Sequence, residues 1–101
     1  MKILLVEDDF TIAEAVVQQL RDIGYNNVIS AKGSRQALEL YSDDEINFLI
    51  LDIGLKNSKI DGIDLAVELL KIKQAPVIFL SSYSDKRTLE RVKKIAHANY
   101  L

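Results

Sequence analysis

The chain has 101 residues, a length that fits one domain, and its 49% apolar content suits a packed core rather than a disordered segment. It contains no cysteine, which excludes a disulfide framework, a zinc–thiolate site and a thiol nucleophile. Thirteen basic against 15 acidic residues leave a net charge of −2, so nothing draws it generally to nucleic acid or to an anionic membrane.

The opening run Ile3 to Val6 reads as a buried strand, cut off at once by Glu7, Asp8 and Asp9. With Met1 and Lys2 it is too short for a signal-peptide core or a membrane span, which points to the cytoplasm. From Phe10 the pattern becomes helical, with Ile12, Val16, Leu20 and Ile23 at three- and four-residue spacing and Ala13 and Val17 widening the stripe. Asp9 or Thr11 can cap its start, and Gly24 is placed to end it in a left-handed conformation. Asn27 to Ala31 is a short second strand, and Ser34 opens a helix through Ala37, Leu38 and Tyr41.

Ser42 to Asn47 reads as a polar turn feeding Phe48-Leu49-Ile50-Leu51-Asp52, a third strand buried on both faces and ending in a carboxylate. Leu55 to Asp61 is loop-like. Gly62 turns into a helix with Ile63, Ala66, Val67 and Leu70 in period, which Ala75-Pro76 breaks. Val77 to Leu80 is a fourth strand with Ser81 and Ser82 at its exit. Ser84 or Asp85 caps a last helix carrying Leu89, Val92, Ile95 and Ala96, and Asn99-Tyr100-Leu101 begins a fifth strand. Strands alternate with helices throughout, which predicts an α/β domain with a parallel sheet, helices on both faces and right-handed crossovers.

In such a sheet the carboxyl ends of the strands share one edge, where ligands bind. Glu7 and Asp8 leave strand one there, Asp52 leaves strand three, and Ser81 and Ser82 leave strand four. Three converging carboxylates repel, and a hard divalent cation resolves that repulsion more cheaply than a raised pKa does. Mg²⁺ suits few carboxylates, retained waters and phosphate oxygens, and would orient a phosphoryl group toward an Asp52 oxygen. A single acid at a strand–helix junction is more often a helix cap, which alone accounts for Asp8 or Asp9. Asp52 has no helix directly after it to cap, only Ile53, Gly54 and Leu55.

Five segments in register, Leu4-Leu5-Val6-Glu7-Asp8-Asp9, Leu51-Asp52-Ile53-Gly54-Leu55, Asp61-Gly62-Ile63, Pro76 to Ser82 and Ala98-Asn99-Tyr100-Leu101, resemble the receiver domain of two-component response regulators over the whole chain. The resemblance implies a doubly wound five-stranded sheet of flavodoxin-like order 2-1-3-4-5, as in the chemotaxis receivers. It implies a signalling switch rather than an enzyme, in which Asp52 accepts a phosphoryl group from a histidine kinase or phosphotransfer protein. Glu7 and Asp8 match the acidic pair that holds Mg²⁺ with Asp52, and the Gly54 backbone carbonyl completes the protein's ligands. Ser81 matches the switch hydroxyl, Ser82 the small residue beside it, and Tyr100 the aromatic that reorients on phosphorylation. The proline common after the phosphoacceptor is missing.

The family's lysine, expected two residues beyond Leu101, and the last helix also lie past the end of this sequence. Residues 1–101 are therefore expected to be a C-terminally truncated receiver without its output domain or protein, with an open sheet flank that favours weak stability, domain swapping or a homodimer.

Lys86, Arg87, Arg91, Lys93 and Lys94 make the fourth helix basic, a solvated face partnered in part by Asp85 and Glu90 or else a docking surface. His97, the one histidine, sits at a helix end and suits a surface or capping role. Tyr41 and Tyr83 read as aromatics at the core's edge, and Tyr25 as packing beside Gly24. The main alternative is a pseudo-receiver, a protein-binding module of the same fold without phosphotransfer. An aspartyl-phosphate enzyme would want a second acid where Gly54 stands, and a flavodoxin-like cofactor carrier would want a phosphate loop where Glu7 to Asp9 stand.

Overall fold

The computed structural model describes residues 1–43, 45–56, 58–80, 90, 91 and 93, together with the backbone of 98–100. The elements run β1 (Lys2–Val6), α1 (Phe10–Asp22), β2 (Val28–Ala31), α2 (Ser34–Leu40), β3 (Ile46–Asp52), α3 (Gly62–Ile72) and β4 (Val77–Leu80). All four strands are parallel and lie in the order β2-β1-β3-β4. Val6 faces Ala31 on one side and Leu51 on the other, and Asp52 faces Leu80, so the strands end together along one edge. The chain leaves β1 for β2 and then crosses back to β3 on β1's other side. The strand order therefore reverses between β1 and β3, and a crevice opens there at the carboxyl edge.

Side-chain alternation sorts the strands into two layers. Leu4, Val6, Leu49, Leu51, Val77 and Phe79 face α2 and α3, joined by Ala37, Ile63, Leu65, Ala66 and Leu69. Ile3, Leu5 and Ile50 face the opposite way, against Ala13 and Val17 of α1. Because both faces are covered, the strands carry unbroken apolar runs, the pattern of a sheet buried on both sides.

Helix ends follow local chemistry. Asp9 is the N-cap of α1, its Oδ1 accepting the Ile12 N–H at 3.1 Å. Beyond α1, Gly24 takes φ +102°, which a Cβ would strain, and its N–H donates to the Arg21 carbonyl at 3.0 Å. Asp61 caps α3 by accepting the Asp64 N–H at 2.9 Å.

Four expectations need correction. The buried face of α1 is centred on Ala13 and Val17, with Val16 and Leu20 beside them, while Ile12 and Ile23 are 48% and 70% exposed. The helix meets the sheet through its smallest side chains, which rotates the longer ones outward. β3 starts at Ile46, which is fully buried, rather than after a turn reaching Asn47. Val67 faces solvent, and Leu65 and Leu69 hold the core in its place. Tyr41 lies inside the core rather than at its edge, with its hydroxyl donating to the Lys73 carbonyl at 2.8 Å.

Of the expected fourth helix, Glu90, Arg91 and Lys93 are described, and all three are helical. Its cap at Ser84 or Asp85, its apolar residues Leu89, Val92, Ile95 and Ala96, the basic Lys86, Arg87 and Lys94, and Tyr83, His97 and Leu101 lie outside the described residues.

Candidate functional site

β1 and β3 deliver their last side chains to the crevice at the strand-order reversal. Glu7, Asp8 and Asp52 each place one carboxylate oxygen so that all three lie within 4.8 Å of one another. They line a pocket of about 270 Å³ with Asp9, Ile12, Gly54 and Lys56.

Each acid is held by backbone donors. Glu7 anchors its own N–H on the Ala31 carbonyl at 3.0 Å and accepts the Asp9 N–H on Oε1 at 3.0 Å. Asp8 accepts the Lys56 N–H on Oδ2 at 2.9 Å, a bond between residues 48 apart that ties the β3–α3 loop to the end of β1. Asp52 accepts the Gly54 N–H on Oδ1 at 3.1 Å, so the turn after β3 folds back onto its own carboxylate.

Behind Asp52 stands Gly62. A Cβ there would lie 2.1 Å from the Asp52 carbonyl oxygen, and the Gly62 N–H donates to the Ile53 carbonyl at 2.9 Å. Only glycine lets α3 begin this close to the strand end.

Electrostatically the cluster is unbalanced. Among the described residues, no lysine or arginine forms an ion pair with Glu7, Asp8 or Asp52. Glu7 is the one charged residue found buried among them, only 5% exposed. Burial first, then the Asp52 charge and hydrogen bonds shared with Asp8 and Asp52, push its carboxyl up to about 7 against the pull of the Asp9 N–H. Near neutral pH the proton on Glu7 is thus held loosely enough for a cation to displace it. An all-oxygen donor set, part-buried and short of positive charge, fits a hard divalent cation with room for water and an incoming oxyanion. Glu7, Asp8, Asp52 and the Gly54 carbonyl are the groups that could hold one.

A neighbouring acid behaves differently. Asp61 accepts from Arg91 Nη1 at 2.8 Å and Nη2 at 3.0 Å, and Arg91 reaches Asp64 at 3.1 Å. Burial opposes the effect, but the Arg91 and backbone hydrogen bonds hold the Asp61 carboxyl below its ordinary range. These two acids, rather than Glu90, are the described partners of Arg91, and Asp85 lies outside the described residues.

The structure places Glu7, Asp8, Asp52 and Gly54 around one pocket. Ser81, Ser82 and the Tyr100 side chain lie outside the described residues; Leu80, just before Ser81, pairs with Asp52. The sequence reading missed the Lys56 N–H on Asp8 and the tight seat of Gly62 behind Asp52. Nothing local marks a backbone donor 48 residues from its acceptor, whereas Asp61-Gly62, a cap followed by glycine at a helix start, was a readable sign of close approach.

A parallel α/β sheet with an acidic cluster at its strand-order reversal defines a flavodoxin-like domain. The sequence matches the response regulator receiver domain over residues 3–101, and the chain belongs to that family. It is 31% identical over its whole length to an NtrX-like response regulator of Rickettsia felis, and spans 21% of that protein. The chain therefore covers about a fifth of the length of such relatives. A response regulator from Burkholderia pseudomallei, solved with a phosphorylated aspartic acid, calcium ion and citrate, is 25% identical with a TM-score of 0.82, over 98% of this chain and 58% of that one. The Vibrio cholerae chemotaxis protein CheY4 shares the fold, with a TM-score of 0.87 and 22% identity over 99% of this chain and 83% of that one. Among the described residues no helix is long and apolar enough to cross a membrane.

Proposed function

We propose that the domain is a phosphorylation-dependent switch of a two-component system, with Asp52 as the phosphoacceptor and Mg²⁺ held by Glu7, Asp8, Asp52 and the Gly54 carbonyl. The observation that carries this reading is the convergence of three carboxylates without a cationic partner among the described residues. The phosphorylated aspartic acid and calcium ion of the Burkholderia relative support it.

The donor is a phosphohistidine of a kinase or phosphotransfer protein. An Asp52 carboxylate oxygen attacks the phosphorus as the P–N bond breaks, and the electron pair returns to the imidazole. The Gly54 N–H holds the Asp52 carboxylate in one orientation, and the Lys56 N–H does the same for Asp8. A bound divalent cation supplies charge neutralisation for the phosphoryl oxygens. Ser81 then hydrogen-bonds a phosphoryl oxygen with Ser82 beside it, and Tyr100 turns inward, so that phosphorylation biases an existing two-state equilibrium. The backbone of Ala98–Tyr100, which runs parallel to Val77–Phe79, supports a fifth strand and the order 2-1-3-4-5. The domain works in the cytoplasm and hands its state to an output domain or protein.

The test is incubation with acetyl phosphate with and without Mg²⁺, read by intact mass. The expected result is one Mg²⁺-dependent phosphoryl adduct that Asp52→Asn abolishes. An adduct that persists in Asp52→Asn would move the acceptor elsewhere, and no adduct with either acetyl phosphate or beryllofluoride would favour the pseudo-receiver.

A further inference from the structure

Next to the acidic pocket, residues 32–36 and 58–59 wall a second, open groove of about 710 Å³. Asp8 borders both spaces, so the groove begins where the acidic pocket ends.

The two walls are fastened together. Ser58 Oγ accepts the Ser34 N–H at 3.0 Å, and a Cβ at Gly33 would lie 2.8 Å from the same oxygen. Gln36 Oε1 accepts the Lys32 N–H at 3.0 Å. These bonds decide what the groove can offer a ligand. The Ser34 N–H is spent inside the protein, so the start of α2 contributes no free donor from that residue.

The Ser58 oxygen is occupied as an acceptor while its own proton remains to be donated. The Gln36 carbonyl oxygen is likewise occupied, which leaves its two Nε2 hydrogens for the groove. Neither group donates to a described residue. Each group therefore accepts one bond across the wall and keeps donor hydrogens for a ligand, while Asp8 and Glu39 add carboxylate acceptors to the same lining.

The charges agree with the hydrogen bonding. Lys32, Arg35 and Lys59 are exposed along the groove. Lys32 and Lys59 form no ion pair with a described residue. Arg35 meets Glu39 at 3.5 Å, with 95% and 67% of the two side chains exposed, a pairing that a stronger anion displaces readily. Set against Asp8 and Glu39 in the same lining, the three cations leave the groove a net charge of +1, in a chain whose net charge is −2.

We propose that this groove binds a small phosphate-bearing ligand carrying at least two negative charges. A tetrahedral phosphate accepts hydrogen bonds from several directions, which suits donors arriving from two facing walls, and a guanidinium binds it through paired N–H groups. The site is separate from the phosphoacceptor and does not depend on Asp52 being one.

The test is an amide-resolved NMR titration with inorganic pyrophosphate in low salt and chelator. Without a divalent cation the neighbouring carboxylates repel the anion, so binding there is suppressed. Saturable shifts are expected at Lys32, Ser34 to Gln36, Ser58 and Lys59, weakening as salt is added. The double substitution Lys32→Ala with Lys59→Ala, both on exposed side chains, should weaken binding at least about tenfold. Unchanged core amides confirm that this variant is folded. Citrate, a planar-carboxylate control of comparable charge, should bind more weakly. The proposal is overturned if those amides show no saturable shift, if the double variant binds as tightly as the parent, or if citrate matches pyrophosphate.

Discussion

The two edges of the sheet treat their acids in opposite ways. At the amino edge Asp43 and Glu45 share a cation. Lys2 Nζ pairs with Asp43 and lies 3.9 Å from Glu45. Lys73 Nζ donates to the Asp43 carbonyl at 3.1 Å and sits 4.7 Å from the centre of the Tyr41 ring. The hydrogen bond to Lys2 draws the Asp43 carboxyl below its ordinary range, and the same bond raises Lys2. At the carboxyl edge Glu7, Asp8 and Asp52 crowd together with, among the described residues, only backbone N–H groups in support, and burial drives Glu7 up to about 7. One edge has satisfied its charges internally and holds the fold. The other, among the described residues, keeps a deficit of positive charge, which costs stability and is the feature on which the proposed cation site rests.

The largest effect should come from the amino edge. Tyr41 is fully buried between α2 and the end of α3, so Tyr41→Ala should cost about 3–5 kcal/mol in urea unfolding. Tyr41→Phe keeps the ring and loses only the bond to the Lys73 carbonyl, for about 1 kcal/mol. Equal losses in the two variants would show that the hydroxyl, not the packed ring, secures this edge.

Glu7→Gln should act in the opposite direction. The folded protein holds the Glu7 proton up to about pH 7, whereas the unfolded chain releases it near the model value of 4.5. Wild-type stability should therefore fall as pH rises from 4.5 to 7, and the penalty is complete above that range. In chelator at pH 8 the glutamine variant should be more stable by about 2–3 kcal/mol, and near pH 4 the difference should vanish. Asp43 and Asp61, whose carboxyls are lowered, lose their contribution only as pH falls below the ordinary aspartate range, outside this window.

The smallest effect belongs to Lys2→Ala. Its pair with Asp43 is part-exposed, so the melting temperature should drop slightly at low salt and the difference should fade at high salt. A loss that salt does not reduce would mean that Lys2 acts through packing instead.

How much of this was legible in the sequence depends on the range of each interaction. Buried strands announce themselves as short apolar runs, so β1, β3 and β4 could be read directly, and the acids at the ends of β1 and β3 followed. The rotation of α1 was not legible, because Ile12, Val16, Leu20 and Ile23 form as regular a stripe as Ala13 and Val17, and the sheet selects the smaller pair. Ile46 was assigned to a turn because Asn47 interrupts the apolar run, yet Asn47 faces solvent and the strand passes through it. The Lys56–Asp8 and Arg91–Asp61 bonds span 48 and 30 residues, and only the folded chain brings those groups together.

The central claim is that the acids at the carboxyl edge, which have no cationic partner among the described residues, can accept a divalent cation. Its most direct measurement is the titration of the Glu7 carboxyl carbon by NMR, with and without Mg²⁺. Without the ion the midpoint should lie near 7, and saturating Mg²⁺ should move it below 4.5 as the cation replaces the proton. A midpoint near 4.5 that Mg²⁺ leaves unchanged would contradict the account.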